Sequence, residues 1–324
     1  MARAARIEKQ GGPDVIQWVD LDLPPPGPGE VRMRNTAIGL NFIDTYHRGG
    51  VYPVPLPSGL GMEAAGVVDA VGEGVNDLLV GDRVCTFGSG LGAYCTERNV
   101  AAASLFAVPD DISDEIAAAA ILKGCTAEML VERCAKVQAK WQVLVYSAAG
   151  GVGLLLVQWL KHVGAEVIGT VSTAEKAALA RQAGADHVIN TSNEDVATRV
   201  REITNGAGVR ISFDGVGKDS WQSSLDSTRP RGLIISYGNA SGPVTGVGLG
   251  ILSAKGSLFV TRPTMGDYYT DPVERSAGSD YVFDLIRQGI LAVNIGQTYP
   301  LEAAAQAHID LEGRKTVGST ILIP

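Results

Sequence analysis

Six consecutive residues, Ala148-Ala149-Gly150-Gly151-Val152-Gly153, carry the spacing of a phosphate-binding turn. Against the pattern G-x-G-x-x-G, Gly150 and Gly153 take the second and third glycine positions, and Ala148 replaces the first. Without a side chain at Gly150, backbone N–H groups can approach a pyrophosphate. Gly153 lets the following helix lie close to the preceding strand. Gly151 and Val152 then sit in a first helical turn, where free N–H donors and partial positive charge favour phosphate.

A second group concerns the adenosine end of such a ligand. NAD-binding folds usually place Asp or Glu at the end of the second strand, to hold the ribose hydroxyls. Here that place reads Gly169-Thr170-Val171-Ser172-Thr173-Ala174-Glu175-Lys176, and Glu166 stands at the strand's other end. Small hydroxyl side chains followed by Lys176 suit a 2′-phosphate, so Ser172 and Lys176 point to NADPH. In the competing reading Ser172 or Thr173 only caps the next helix and Lys176 is solvated. Glu175 would repel a phosphate unless it points away.

Both groups depend on a strand–turn–helix–strand unit. Gln142–Ser147 is a short apolar run, as a buried parallel strand requires. Val152 to Val163 is apolar except at Gln158, Lys161 and His162, which share one helical face. Gly164 ends that helix, and Glu166–Val171 is the second strand. The pattern then repeats: helix at Ala174–Ala183, strand at His187–Asn190, helix at Glu194–Thr204, strand at Val209–Asp214. Further strands are expected at Gly232–Tyr237 and Ser257–Thr261. Alternating strands and helices imply a doubly wound parallel sheet.

The first 122 residues read differently, as short alternating runs separated by Gly and Pro: Val15–Asp20, Glu30–Ile38, Glu63–Val71, Asp82–Phe87 and Ala93–Glu97. A compact, mostly antiparallel β domain follows from that pattern. Two helices, Ser113–Leu122 and Thr126–Ala135, are expected around a joining turn Lys123-Gly124-Cys125-Thr126. Asp280–Gln288 and Leu301–Leu311 are amphipathic helices, and a last strand at Gly318–Leu322 returns to the first domain. The expected division is 1–122 with 266–324 for the β-rich domain, and 123–265 for the nucleotide domain.

A chain of 324 residues is long enough for two domains. Its net charge of −8 argues against nucleic acid and anionic membrane surfaces as partners. No apolar run reaches membrane-spanning length, and the N-terminus lacks a secretory core, so a cytoplasmic protein is expected. Cys85, Cys95, Cys125 and Cys134 form no C-x-x-C pair and no structural zinc spacing.

These stretches together resemble a family. Asn41-Phe42-Ile43-Asp44-Thr45-Tyr46, Gly61-Met62-Glu63-Ala64-Ala65-Gly66-Val67-Val68, Gly81-Asp82-Arg83-Val84, Lys123–Thr126, Ala148–Gly153, Tyr237-Gly238-Asn239, Gly256–Pro263 and the ending Thr320–Pro324 carry the resemblance. The chain resembles, over nearly its whole length, the medium-chain dehydrogenase/reductases, and among them the zinc-free NADPH:quinone oxidoreductases of the zeta-crystallin type, bacterial branch. The resemblance implies a GroES-like catalytic domain joined to a Rossmann domain, with the cofactor in an interdomain cleft. Zinc-dependent members carry a Cys ligand within the stretch matching Asn41–Asp44, and Gly-His-Glu where this chain has Gly61-Met62-Glu63. Met62 is a poor zinc ligand, so no Lewis acid is expected to polarise an alcohol oxygen. An easily reduced acceptor, a quinone or another small electrophile, is implied instead, with no flavin.

Carried over by position, the resemblance implies that Asn41 and Tyr46 line the pocket beside the nicotinamide. There their amide and phenol would hydrogen-bond a quinone oxygen. Lys123, Thr126, Arg262 and Arg314 match cofactor contacts, as do Tyr237, Gly238 and Asn239 at a strand end. Gly150, Gly151 and Val152 would hold the pyrophosphate, and Ser172 and Lys176 the 2′-phosphate. Thr191 and Glu128–Met129 depart from the relatives, which have aromatic residues near these places. Two other readings stay open: a reductase of enones or enoyl thioesters, and a non-enzymatic NADPH-binding protein. The apolar strand near Leu258–Thr261 would be an exposed sheet edge, and pairing with its copy in a homodimer is expected.

Overall fold

A computed structural model describes residues 1–324. In chain order the strands and helices of the first part are β1 (Ala2–Ile7), β2 (Gln17–Leu21), β3 (Glu30–Leu40), α1 (Phe42–Gly49), β4 (Ser58–Gly59), β5 (Glu63–Val71), β6 (Arg83–Phe87), β7 (Glu97–Ala101), β8 (Leu105–Ala107) and α2 (Asp114–Glu128). Then follow β9 (Gln142–Val145), α3 (Gly151–Val163), β10 (Glu166–Val171), α4 (Ala174–Gln182), β11 (His187–Asn190), α5 (Val196–Ile203), β12 (Val209–Asp214), α6 (Trp221–Ser227), β13 (Thr228–Ser236), α7 (Gly250–Ala254) and β14 (Phe259–Thr261). The chain ends with α8 (Met265–Tyr268), α9 (Pro272–Arg287), β15 (Ile295–Pro300), α10 (Ala304–Glu312) and β16 (Ser319–Ile323).

One compact unit comprises Met1–Lys123, Ser279–Arg287 and Val293–Pro324. Its larger sheet runs β15-β16-β3-β5-β6-β8, with β7 also on β3, and all pairs but β15–β16 are antiparallel. Strand β16 lies against the end of β3 (Ile321 opposite Gly39), so the last strand does return to the first domain. Ile7, Met33, Ile38, Leu40, Leu60, Val84 and Leu322 close its core.

The other unit comprises Gly124–Gly278 and Gln288–Ala292. Its six strands are all parallel, in the order β11-β10-β9-β12-β13-β14. Numbered within the unit this is 3-2-1-4-5-6, the doubly wound Rossmann order, whose winding reverses between β9 and β12. The observed α/β fold thus comprises a β-rich, mostly antiparallel domain and a doubly wound parallel-sheet domain, as expected.

The structure departs from the expected elements in several places. The turn expected at Lys123–Thr126 is absent: α2 runs unbroken through Gly124 and ends in a π-helical turn, Met129–Ala135. The strand expected at Ala93–Glu97 begins only at Glu97, because the backbone of 93–96 pairs irregularly with β1 through Cys95. Strand β1, which was not expected, is made of three Ala, two Arg and one Ile and shows little hydrophobic signal. Residues 266–278 fall in the parallel-sheet unit, beyond the expected boundary at 265. Tyr269 holds them there: its hydroxyl donates to Glu128 Oε2 (2.6 Å) and lies 3.1 Å from the Cys125 carbonyl oxygen.

Candidate functional site

The parallel-sheet unit supplies the glycine turn between β9 and α3. Val143, Leu144 and Val145 of β9 are fully buried, which sets the strand end at a fixed height in the sheet. The chain then turns sharply at Ser147, in the left-handed region at φ 52°. The Ala148 N–H donates to the Thr170 carbonyl (2.9 Å) and the Gly150 N–H to the Ser147 carbonyl (2.9 Å). Gly150 caps α3 with extended backbone, and no side chain caps the helix. The N–H groups of Gly151, Val152 and Gly153 therefore have no acceptor in the protein, while Leu154 N–H begins the helical ladder on Gly150 (2.9 Å).

The two glycines have separate duties. A Cβ on Gly153 would lie 2.2 Å from the Ser147 carbonyl oxygen, so the helix can approach the turn only as glycine. A Cβ on Gly150 would meet only that oxygen, at 3.3 Å. The protein itself has room there, and what the missing side chain leaves open is the approach to the free N–H groups. This donor set fits a pyrophosphate.

At the end of β10 no carboxylate is present, and Glu166 at its start is taken up by Gln142 (3.0 Å) and His187 (3.3 Å). Thr173 Oγ1 accepts the Lys176 N–H (3.2 Å) and so caps α4. The capping role falls to Thr173 and not to Ser172, whose carbonyl is held by Ser192 Oγ (2.7 Å). Glu175 is exposed in the first turn of α4. Thr191 Oγ1 donates to the Val171 carbonyl (3.1 Å) and thereby fastens β11 to the same strand end.

At the end of β13, Tyr237 N–H donates to the Asp214 carbonyl (2.8 Å). Arg262, expected as a cofactor contact, donates to the carbonyls of Ser236 (2.7 Å) and Gly238 (2.8 Å). Asn239 accepts from the same guanidinium (2.9 Å) and donates to Gly238 (3.0 Å). Arg262 therefore ties Ser236, Gly238 and Asn239 into one loop. The adjoining Asp214 is buried, with Val216 N–H, Gly217 N–H, Ser220 Oγ and Ser224 Oγ all donating to its carboxylate. Thr126 lies on α2, 3.3 Å from Met265 Sδ. Glu128, the departure noted in the sequence, is buried between Tyr269 and Arg133, whose Nε is 2.9 Å from its Oε2. Arg133 also stacks over the Tyr269 ring, 4.5 Å from its centroid.

The antiparallel unit supplies the other expected residues. Asn41 ends β3 and caps α1, and its backbone N–H donates to Asp44 Oδ2 (2.9 Å). Its side-chain amide donates to Glu63 Oε2 (2.8 Å) and points its second hydrogen at the Gly39 carbonyl (3.4 Å). Lys123 Nζ binds the same Glu63 oxygen at 2.8 Å, with both side chains buried. Leu122 N–H donates to the other Glu63 oxygen (2.7 Å). The structure thus joins Asn41 and Lys123 through a residue the sequence reading passed over. A single carboxylate in the apolar start of β5 was its only signal.

The structure adds detail to the expectations for Asn41, Tyr46 and Arg314. Asn41 was expected to donate to a quinone oxygen; in the structure both of its amide hydrogens face Glu63 and Gly39. Tyr46 is buried, its ring 6.2 Å from Phe42 and edge-on to Tyr52 at 5.3 Å. Arg314 is exposed in the turn after α10, at φ 59°.

Asp44 continues the polar network inward. Tyr94 Oη lies 2.9 Å from Asp44 Oδ2 and 3.0 Å from His308 Nε2, and Arg48 is 3.0 Å from His308 Nδ1. Arg48 in turn forms a two-pronged pair with Glu312 (2.7 and 3.0 Å). Burial pushes Asp44 up to about 7, and burial with the Arg48 charge pushes His308 down to about 3.

The family model described as Alcohol dehydrogenase GroES-like domain matches residues 27–140, and that described as Zinc-binding dehydrogenase matches residues 151–272. A quinone oxidoreductase of Pseudomonas aeruginosa is 51% identical, with 100% of each chain covered. A 2-haloacrylate reductase of Burkholderia sp is 48% identical, over 100% of this chain and 99% of its own. The crystal structure of Escherichia coli quinone oxidoreductase complexed with NADPH superposes with a TM-score of 0.97 at 48% identity, covering 99% of this chain and 100% of that one.

A zinc ion, which the second description implies, does not fit the residues present. Asn41 offers its donor nitrogen to Glu63, and the Glu63 carboxylate is already neutralised by Lys123. No group of three or more His, Cys, Asp or Glu could hold a metal ion.

Proposed function

The chain belongs to the medium-chain dehydrogenase/reductase family, and from that premise we propose that it reduces quinones with NADPH, using neither zinc nor flavin. NADPH, when bound, supplies the hydride. The observation that carries the reading is the set of free N–H groups at Gly151, Val152 and Gly153, opened by the bare Gly150. Ser172 and Lys176, at a strand end without an acid, favour the 2′-phosphate over a free ribose. The loop of Tyr237, Gly238 and Asn239, held by Arg262, completes the row of strand ends at which ligands of this sheet order bind.

In the proposal, Asn41 binds through Oδ1, which accepts from an amide or hydroxyl of the cofactor, and Lys123 holds Glu63 so that this oxygen stays presented. Tyr46 keeps the phenol that would donate to an acceptor oxygen, and Thr126 and Arg314 are retained as cofactor contacts. Turnover of p-benzoquinone is measured with NADPH and NADH, wild type beside Lys176→Ala. Loss of one charge-assisted phosphate contact is expected to raise the NADPH KM about tenfold and leave kcat within about twofold. The NADH KM should not change. Equal use of both cofactors by the wild type would remove the 2′-phosphate assignment.

The 2-haloacrylate reductase at 48% identity supports a second reading, reduction of activated double bonds. Running 2-chloroacrylate and a simple enone in the same assay separates the two. A kcat/KM above that for the quinone would make the alkene the acceptor.

Strand β14 hydrogen-bonds on one side only, to β13, and exposes Phe259 (63%) and Val260 (39%), whereas Leu258 is in the core. We infer a two-fold dimer in which β14 pairs with its copy. Sedimentation should give a dimer for the wild type and a monomer for Val260→Pro, which removes a ladder donor. A monomeric wild type at micromolar concentration would discard the assembly. No helix is long and apolar enough to cross a membrane.

A further inference from the structure

The chain Glu312–Arg48–His308–Tyr94–Asp44 runs in one chemical direction. Arg48 gives N–H groups to Glu312 and to His308 Nδ1. Arginine has no acceptor, so Nδ1 must be the bare nitrogen of the ring. The imidazole is neutral, because burial and the Arg48 charge both oppose protonation. Its single proton is then on Nε2 and is donated to Tyr94 Oη at 3.0 Å. The Tyr94 hydroxyl hydrogen is left for Asp44 Oδ2 at 2.9 Å, the same oxygen that accepts the Asn41 N–H. Asp44 Oδ1, also buried, has no partner. No link can reverse, since Arg48 cannot accept. This is a fixed line of donors ending on a carboxylate, and it relays no proton.

We propose that Tyr94 and His308 are positioning residues, which hold the Asp44 carboxylate on the Asn41 backbone and so fix Asn41 in the candidate site. The inference rests on the reading of Asn41 as a cofactor-site residue. Burial opposes the charged form of Asp44. The Asn41 and Tyr94 hydrogen bonds and the Lys123 charge support it, and the Glu63 charge opposes it. Behind Tyr94 stand His308 and Arg48, the latter balanced by Glu312. Protonated Asp44 accepts more weakly, so the end of α1 loosens as pH falls through the Asp44 midpoint.

The test is the titration of the Asp44 carboxyl carbon by 13C NMR in the full-length protein. Tyr94→Phe removes one hydrogen-bond donor, and the midpoint is expected to rise by about one pH unit. His308→Leu should move it the same way, and His308→Gln, which keeps an N–H toward Tyr94, should bring it back. On the same variants the acid limb of kcat/KM for p-benzoquinone should follow the midpoint. An unmoved midpoint in Tyr94→Phe overturns the chain, and a moved midpoint with an unmoved limb overturns its link to the site. Should Tyr94→Phe not fold, the His308→Leu and His308→Gln pair decides in the same way. If the wild type reduces no quinone, the quinone reading fails separately. The pH dependence of the NADPH Kd then replaces the limb, and a flat dependence overturns the proposal.

Discussion

Lys123→Met is expected to destabilise the protein by about 3–5 kcal/mol, the usual result of removing one partner from a buried ion pair. The methionine fills much the same space, so packing changes little. What remains is a Glu63 carboxylate at 0% exposure, with only the Asn41 amide and the Leu122 N–H to stabilise its charge. The double variant Lys123→Met/Glu63→Gln removes both charges and should recover most of the loss. Urea unfolding of the four proteins in the cycle measures the coupling, and hydrogen exchange in β5 and α1 places it. Additive single effects would mean that the 2.8 Å contact contributes nothing beyond its separate parts. Turnover should fall in the single variant and return only partly in the double, because the orientation of Asn41 depends on a carboxylate acceptor.

The glycine pair of the phosphate turn should separate folding from binding. In Gly153→Ala the new Cβ would meet the Ser147 carbonyl oxygen at 2.2 Å and the Ala148 carbonyl carbon at 2.9 Å. Both are backbone atoms, so the turn itself must shift. About 1–3 kcal/mol of stability is expected to be lost, as for other overpacked sites. NADPH affinity should fall about a hundredfold as the donors lose their alignment, at about 1.5–3 kcal/mol per charged hydrogen bond. Gly150→Ala has a φ of −82° and one neighbour at 3.3 Å, so its melting temperature should stay near that of wild type. Its methyl group stands in the approach to the free N–H groups, and the NADPH Kd should rise at least tenfold, on the order of one phosphate hydrogen bond. Calorimetry on both variants decides the matter. Wild-type affinity in Gly150→Ala would mean that phosphate does not bind at this turn.

Local pattern located the Rossmann half well. Strands Glu166–Val171 and Val209–Asp214 lie at their expected bounds, since each is a short apolar run closed by glycine or a polar turn. The glycine turn was legible for the same reason: strand end, helix start and bare backbone all occur within about a dozen residues. The antiparallel half was less so. Ala2–Ile7 has too little apolar surface to announce a strand, and Gly124 reads as a break although α2 continues through it.

By itself the sequence determined the class of sheet, the glycine turn between β9 and α3, and the missing acid after β10. Each is a property of residues adjacent in the chain. Only the tertiary structure decided what surrounds Asn41. Glu63 meets Lys123 across 60 residues, and Arg48 meets His308 across 260. Such partners are chosen by sheet register and helix docking, which carry no local periodicity. The same geometry turned the Asn41 amide inward, because a buried carboxylate must be satisfied by whichever donors the fold brings to it.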